Sequence, residues 1–112
     1  VDIDPDLAAT HQRFFLQIRE ANPSLPVVMV SRPDFARDPQ DSAVRRAIIR
    51  KTYEQAKAAG DENVWFVDGE LLFSGLMPDS CTVDGVHPND LGFMRMAENL
   101  YPVLSEVLGR SR

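Results

Sequence analysis

Two residues near the end of the chain have the types and the spacing of a catalytic pair. Asp84 and His87 lie three residues apart, separated by Gly85 and Val86, just before a long amphipathic stretch. One turn of chain can bring the Asp84 carboxylate to Nδ1 of His87. That contact would fix the imidazole tautomer and leave Nε2 free to take a proton from a nucleophile. The pattern is two-thirds of a hydrolytic triad.

A nucleophile to complete the triad is not evident in the sequence. Ser74 lacks the glycine two residues earlier that a sharp nucleophile turn would use. Ser31 follows a strand-like run, but Arg32-Pro33 cannot start a helix with free amide groups. Cys81 is the only cysteine, and because no neighbour in sequence would activate it, a structural thiol is the better interpretation. We therefore expect these 112 residues alone to be inactive.

The elements that must position Asp84 and His87 alternate between helical and strand patterns. Apolar spacing predicts a helix over 7–21, and continuous apolar runs predict buried strands over 26–31 and 63–67. A second helix is predicted over 43–59, with Ser42 as its N-terminal cap and Gly60 as its stop. A short helix is predicted over 70–76, and a last helix from residue 88 or 89 to 108. The predicted buried face of that last helix consists of Phe93, Ala97, Leu100, Tyr101, Leu104 and Leu108.

This alternation is typical of an α/β fold with an open parallel sheet between layers of helices. Two strands cannot cover the apolar stripes of three helices, and an ordinary sheet has about five strands. The sequence therefore predicts a single partial domain over 1–112: the C-terminal part of an α/β/α domain whose N-terminal strands precede Val1.

Polar residues follow both predicted strands. In open α/β sheets, ligands bind beyond the carboxyl ends of the strands, where Ser31-Arg32 and Asp68-Gly69 lie. The loop with Asp84 and His87 is expected at the same edge, so that three polar segments converge there. Arg32 is the candidate substrate-binding residue, because a guanidinium binds a carboxylate or a phosphate. A solvated or ion-paired loop arginine is the alternative.

Simpler interpretations exist for both histidines. Asp84 could merely cap a turn while His87 packs at a helix start. A metal site is a further alternative, since the acidic residues of this region and His87 are potential ligands, but their spacing matches no metal motif. We predict no metal and no cofactor.

The other histidine, His11, lies in the apolar stripe of the first helix, where a hydrogen-bonded packing role is expected.

Composition narrows the range of partners. The net charge of -5 and the pI of about 4.9 argue against binding to nucleic acid or to an anionic membrane surface. No apolar run reaches the roughly 20 residues of a membrane span. A single cysteine excludes an intrachain disulfide, which leaves the cellular compartment open. Uncovered sheet edges could also favour self-association.

The block Asp84-x-x-His87-Pro88, placed after a polar loop and before the terminal helix, resembles the last conserved block of the SGNH (GDSL-type) hydrolases and acylesterases. The longer string over 79–92, Asp-Ser-Cys-Thr-Val-Asp-Gly-Val-His-Pro-Asn-Asp-Leu-Gly, is much more specific. The upstream part, from Ala9-Thr10-His11 through 26–33, is also similar to bacterial members. The resemblance covers nearly the whole chain but only the second half of the family's domain.

The resemblance implies the flavodoxin-like SGNH hydrolase fold, with Asp84 orienting His87 as general base. The family's nucleophilic serine and its oxyanion-hole glycine and asparagine belong to blocks that are not in this chain. The implied activity of the full-length protein is Ser-His-Asp hydrolysis of a small acyl or acetyl ester, carbohydrate esters included. The alternatives are a non-catalytic α/β interaction module and a fragment of a metal-dependent hydrolase.

Overall fold

A computed structural model describes residues 5–33, 39–75, 77–83 and 87–110 of the chain. The helices in this part are α1 (Pro5–Ala21), α2 (Pro39–Ala58) and α3 (Asp90–Arg110). The strands are β1 (Val27–Val30) and β2 (Val64–Val67), and Gly69–Leu71 and Pro78–Ser80 form single 3₁₀ turns. The predicted order of helices and strands is confirmed, although the first 3₁₀ turn is shorter than the helix predicted over 70–76.

The two strands pair in parallel, in a register that places Val27 opposite Val64 and Val30 opposite Val67. Helix α2 makes the connection between them and packs on both, while α1 packs on α2. The predicted α/β class with a parallel sheet and flanking helices is therefore confirmed. The core between these layers contains Phe15, Met29, Ala56 and Val64, with Val27, Ile49, Tyr53 and Phe66 packed around them.

The limits of α2 follow partly from local chemistry. Gly60 has a φ of 90°, and its amide and that of Asp61 bond to carbonyls of the last helical turn. This is the expected glycine stop. The start of the helix was predicted wrongly: α2 begins at Pro39, so Ser42 lies inside it. Ser42 is buried there and its Oγ accepts hydrogen bonds from Arg32 rather than from its own helix.

The buried face of α3 was also predicted wrongly. Phe93 and Tyr101 are 60% and 70% exposed, whereas Val107 is 6% exposed and Gly92 is buried. Apolar residues occupy a wide arc of this helix, so its periodicity indicates a helix without selecting one face. The contacts of α3 with the turns before it involve the face that carries Gly92 and Met96.

No helix in the described ranges combines the length and the apolar character that crossing a bilayer requires.

Candidate active site

The carboxyl ends of the two strands meet through Ser31. Its amide donates to the Val67 carbonyl at 3.2 Å, and its Oγ accepts a 2.6 Å hydrogen bond from the amide of Gly69. Ser31 is 1% exposed. Its hydroxyl therefore joins the loops that follow β1 and β2. The predicted convergence of these two polar segments is confirmed, and Ser31 has a structural role in it.

Gly69 allows the two loops to approach this closely. A Cβ atom built at this residue would lie 1.8 Å from the carbonyl oxygen of Arg32 and 2.6 Å from that of Ser31. No side chain can be accommodated at such distances, so the glycine is required by the close approach of backbone to backbone.

Arg32 belongs to an ion-pair network behind this edge. Its Nη2 donates to Oδ2 of Asp41 at 2.5 Å and to Oγ of Ser42 at 3.0 Å. Arg45 donates to the same Asp41 oxygen at 2.9 Å. The hydrogen bond from Arg45 and that from Arg32 hold the pKa of Asp41 below its usual range, against the opposing effect of burial. The ion-paired alternative for Arg32 is thus what the structure contains, and its role in substrate binding stays a prediction.

His87 lies at one arm of a loop that is closed by backbone hydrogen bonds. Thr82 and Pro88 form an antiparallel bridge, flanked by bonds of 2.9 Å from the Val83 amide to the His87 carbonyl and from the Asn89 amide to the Cys81 carbonyl. We call residues 81–89 the histidine loop. Its described arms are 81–83 and 87–89, and the His87 side chain is exposed. The bridge fixes the backbone from which the imidazole projects.

The side chain of Asn89 joins this loop to α3. Its Oδ1 accepts the amide of Gly92 at 2.9 Å, which caps the helix at its N-terminus. Its Nδ2 donates to the carbonyl of Ser80 at 2.7 Å and, at 3.5 Å, approaches that of Thr82. The contacts of the Asn89 amide nitrogen with residues 80 and 82 could not be read from spacing.

The first arm of the loop is buried through Cys81. This residue is 0% exposed and forms a cluster with Phe73, against which Leu91 and Met96 of α3 pack. Its Sγ lies 3.8 Å from the Met77 carbonyl. The expected structural role of the thiol agrees with this environment. The cluster connects the histidine loop to the chain that follows β2.

The remaining site predictions concern Asp84, a possible metal site and His11. Asp84 lies outside the described residues, so its contact with His87 stays a prediction. Within the described ranges, no three His, Cys, Asp or Glu side chains group as a metal site would require. His11 has the expected packing role: its Nδ1 is 2.8 Å from Oγ1 of Thr52, and burial lowers its pKa.

This geometry supplies a rigid support for an acid–base group. A histidine on a bridged, helix-capped loop can keep its imidazole in one place while a proton moves to and from Nε2. Asp41 and Gly92 are supporting residues that the sequence did not reveal, and the structural role of Ser31 was not predicted. The partner of Ser31, Gly69, is 38 residues away in the chain, and Arg32 is nine residues from Asp41.

The family model of the GDSL-like lipase/acylhydrolase family matches residues 4–105, a range that includes both arms of the histidine loop. The chain belongs to this family. This is the family that the sequence block around His87 resembles. No curated protein matches the chain.

Two solved structures share the fold of this chain. One, from Bacteroides ovatus and described as a GDSL-like lipase, superposes with a TM-score of 0.80 at 23% identity over 92% of this chain. The other, the salicylyl-acyltransferase SsfX3 of a tetracycline biosynthetic pathway, gives a TM-score of 0.70 at 24% identity over 91%. This chain covers 32% of each of those chains. At these identities the likeness concerns the fold.

Proposed function

We propose that this chain supplies the histidine and the aspartate of a serine esterase, with His87 as general base and Asp84 as the residue that orients it. The observation that carries the proposal is the backbone bridge that holds His87 directly before the capped end of α3. Membership of an acylhydrolase family supports the same reaction class.

In this mechanism His87 Nε2 takes the proton of a serine hydroxyl as the oxygen attacks an ester carbonyl. The same proton then passes from the imidazolium to the departing alkoxide, which leaves an acyl-serine and an alcohol. Water, deprotonated by His87, then attacks the acyl carbonyl, and the imidazolium returns the proton to the serine oxygen as the carboxylic acid is released. The serine and the amide donors of the oxyanion hole are contributed by the other family blocks. The proposed substrate is a small acyl or acetyl ester.

Removal of the general base tests this proposal. In the full-length protein, His87→Ala should lower kcat/KM for a short-chain p-nitrophenyl ester by about 10²–10⁴-fold, the usual contribution of general acid–base catalysis. The melting temperature should change little, because the backbone hydrogen bonds that hold the loop do not involve the His87 side chain. His11→Gln is the matched control, since the only other histidine packs against Thr52. It should affect stability and leave turnover intact.

A full rate in the His87→Ala protein would refute the catalytic assignment. A fluorophosphonate probe distinguishes the non-catalytic alternative, because an interaction module would not become labelled on a serine. Chelation with EDTA distinguishes the metal-dependent alternative, since only that enzyme would lose activity with the chelator and regain it with added metal.

A further inference from the structure

Asn89 makes more contacts than a helix cap requires. A cap needs one acceptor for an amide of the first turn, and Oδ1 provides it for Gly92. The amide nitrogen on the same side chain donates at 2.7 Å to the carbonyl of Ser80, the residue just before the first arm, and lies 3.5 Å from the Thr82 carbonyl in that arm. The backbone amide of Asn89 donates to the Cys81 carbonyl at 2.9 Å. One residue therefore contacts both arms and the helix.

The contacts of Asn89 are placed where they would control His87. His87 is two residues before Asn89, and its own carbonyl is tied to the Val83 amide. If residues 80–82 separated from Asn89, the backbone bridge between Thr82 and Pro88 would lose the support that keeps the two arms of the loop together. The imidazole would then keep its chemistry but not its position, and misplacement by about 1 Å can cost about 10²-fold in rate.

We propose that Asn89 is a positioning residue that holds the catalytic histidine by joining both arms of its loop to the N-terminus of α3. The catalytic part of this inference rests on the proposed function. The structural part, that the Nδ2 donor keeps the loop closed, does not depend on it.

Two substitutions separate the cap from the donor. Asn89→Asp and Asn89→Ser both retain an oxygen that can cap the helix, since Asp and Ser are preferred at this position. Both remove the amide donor to the Ser80 carbonyl. Because Asp adds a charge near carbonyl oxygens and Ser does not, an effect common to the two variants reports the loss of the donor. Asn22→Asp is the control, since it removes an amide donor to the Ile18 carbonyl in a different helix.

The first measurement uses Cys81, which is fully buried behind the loop. Thiol modification in the full-length protein is followed by mass spectrometry of the peptide that contains Cys81. Loss of a hydrogen bond of ordinary strength should increase the labelling rate about 3- to 10-fold in both Asn89 variants. The rate in Asn22→Asp should equal that of the wild type. Unchanged labelling in the Asn89 variants would overturn the structural part of the inference.

The second measurement is kinetic, at a temperature well below the melting transition. Both Asn89 variants should lower kcat by about 10-fold, with KM nearly constant, because the histidine and not the ester-binding surface is displaced. In a His87→Ala background the same substitutions should have no further effect on the residual rate. An additive loss in that background, or a changed KM at constant kcat, would overturn the positioning role.

The two measurements also separate this inference from the proposed function. Should His87→Ala leave turnover intact, the proposed function fails, and with it the catalytic consequence of Asn89. The labelling result would still decide whether Asn89 closes the loop. If His87 proves essential and labelling does not respond to the Asn89 variants, the proposed function stands and the role of Asn89 fails.

Discussion

Substituting Gly92 with alanine should destabilise the protein, although alanine is the better helix former. Gly92 lies in the first turn of α3, against the first arm of the histidine loop. A Cβ atom there would be 2.2 Å from the Cys81 carbonyl oxygen and 3.0 Å from Cβ of Pro88. Contacts under 3.0 Å essentially do not occur for a real Cβ, so the carbonyl must retreat by 0.8 Å, the difference between 3.0 and 2.2 Å.

The magnitude follows from that displacement. The Cys81 carbonyl accepts the Asn89 amide at 2.9 Å, so moving this carbonyl away from Gly92 weakens that hydrogen bond. Overpacking costs about 1–3 kcal/mol and a lost hydrogen bond about 0.5–1.5 kcal/mol. The gain in helix propensity returns at most about 1 kcal/mol, because Gly92 lies in the first turn of the helix. We expect Gly92→Ala to lower the free energy of unfolding by about 1–3 kcal/mol.

Gly109 provides the matched control. It lies in the same helix, and a Cβ there meets nothing within 4 Å. Gly109→Ala should therefore leave the free energy of unfolding unchanged or raise it by a few tenths of a kcal/mol, since a position near the helix end gains only part of the propensity difference. Urea denaturation of the three proteins measures both effects. If Gly92→Ala is as stable as the wild type or more stable, the argument is refuted that close contact with the Cys81 carbonyl requires a glycine at this residue.

Two further predictions concern the packing of the α/β core. Ser31→Ala should cost about 1–3 kcal/mol of unfolding free energy in urea titrations, because the buried Gly69 amide loses its acceptor; the exposed Ser74→Ala should stay within about 0.5 kcal/mol of the wild type, and equal effects of the two would contradict the role of Ser31. His11 should make the free energy of unfolding depend on pH, because burial lowers the pKa of its imidazole in the folded state and the unfolded chain therefore binds more protons. The stability that depends on a neutral His11 is complete above about pH 6.5 and decreases as the pH falls below that value. Melting curves of the wild type and His11→Gln between pH 8 and 5 check this, and parallel pH profiles would show that the histidine is not responsible.

The sequence by itself determined the kind and order of the elements and the family. Helical spacing, the apolar runs of the strands and the glycine stop at Gly60 act over a few neighbouring residues, so they can be read along the chain. The block around His87 is equally local, because Asp84, His87 and the helix start lie within one short segment. The contact between the side chains of Asp84 and His87 stays a prediction, because Asp84 lies outside the described residues.

Only the tertiary structure decided which surfaces meet. The apolar arc of α3 is wide enough to offer several faces, and in the folded chain Val107 is buried whereas Phe93 is exposed. Ser31 bonds to an amide that is 38 residues away, and Ser42 accepts from Arg32 instead of capping α2. Hydrogen bonds of this kind depend on how the layers are placed relative to one another. Periodicity and spacing along one segment carry no information on that placement.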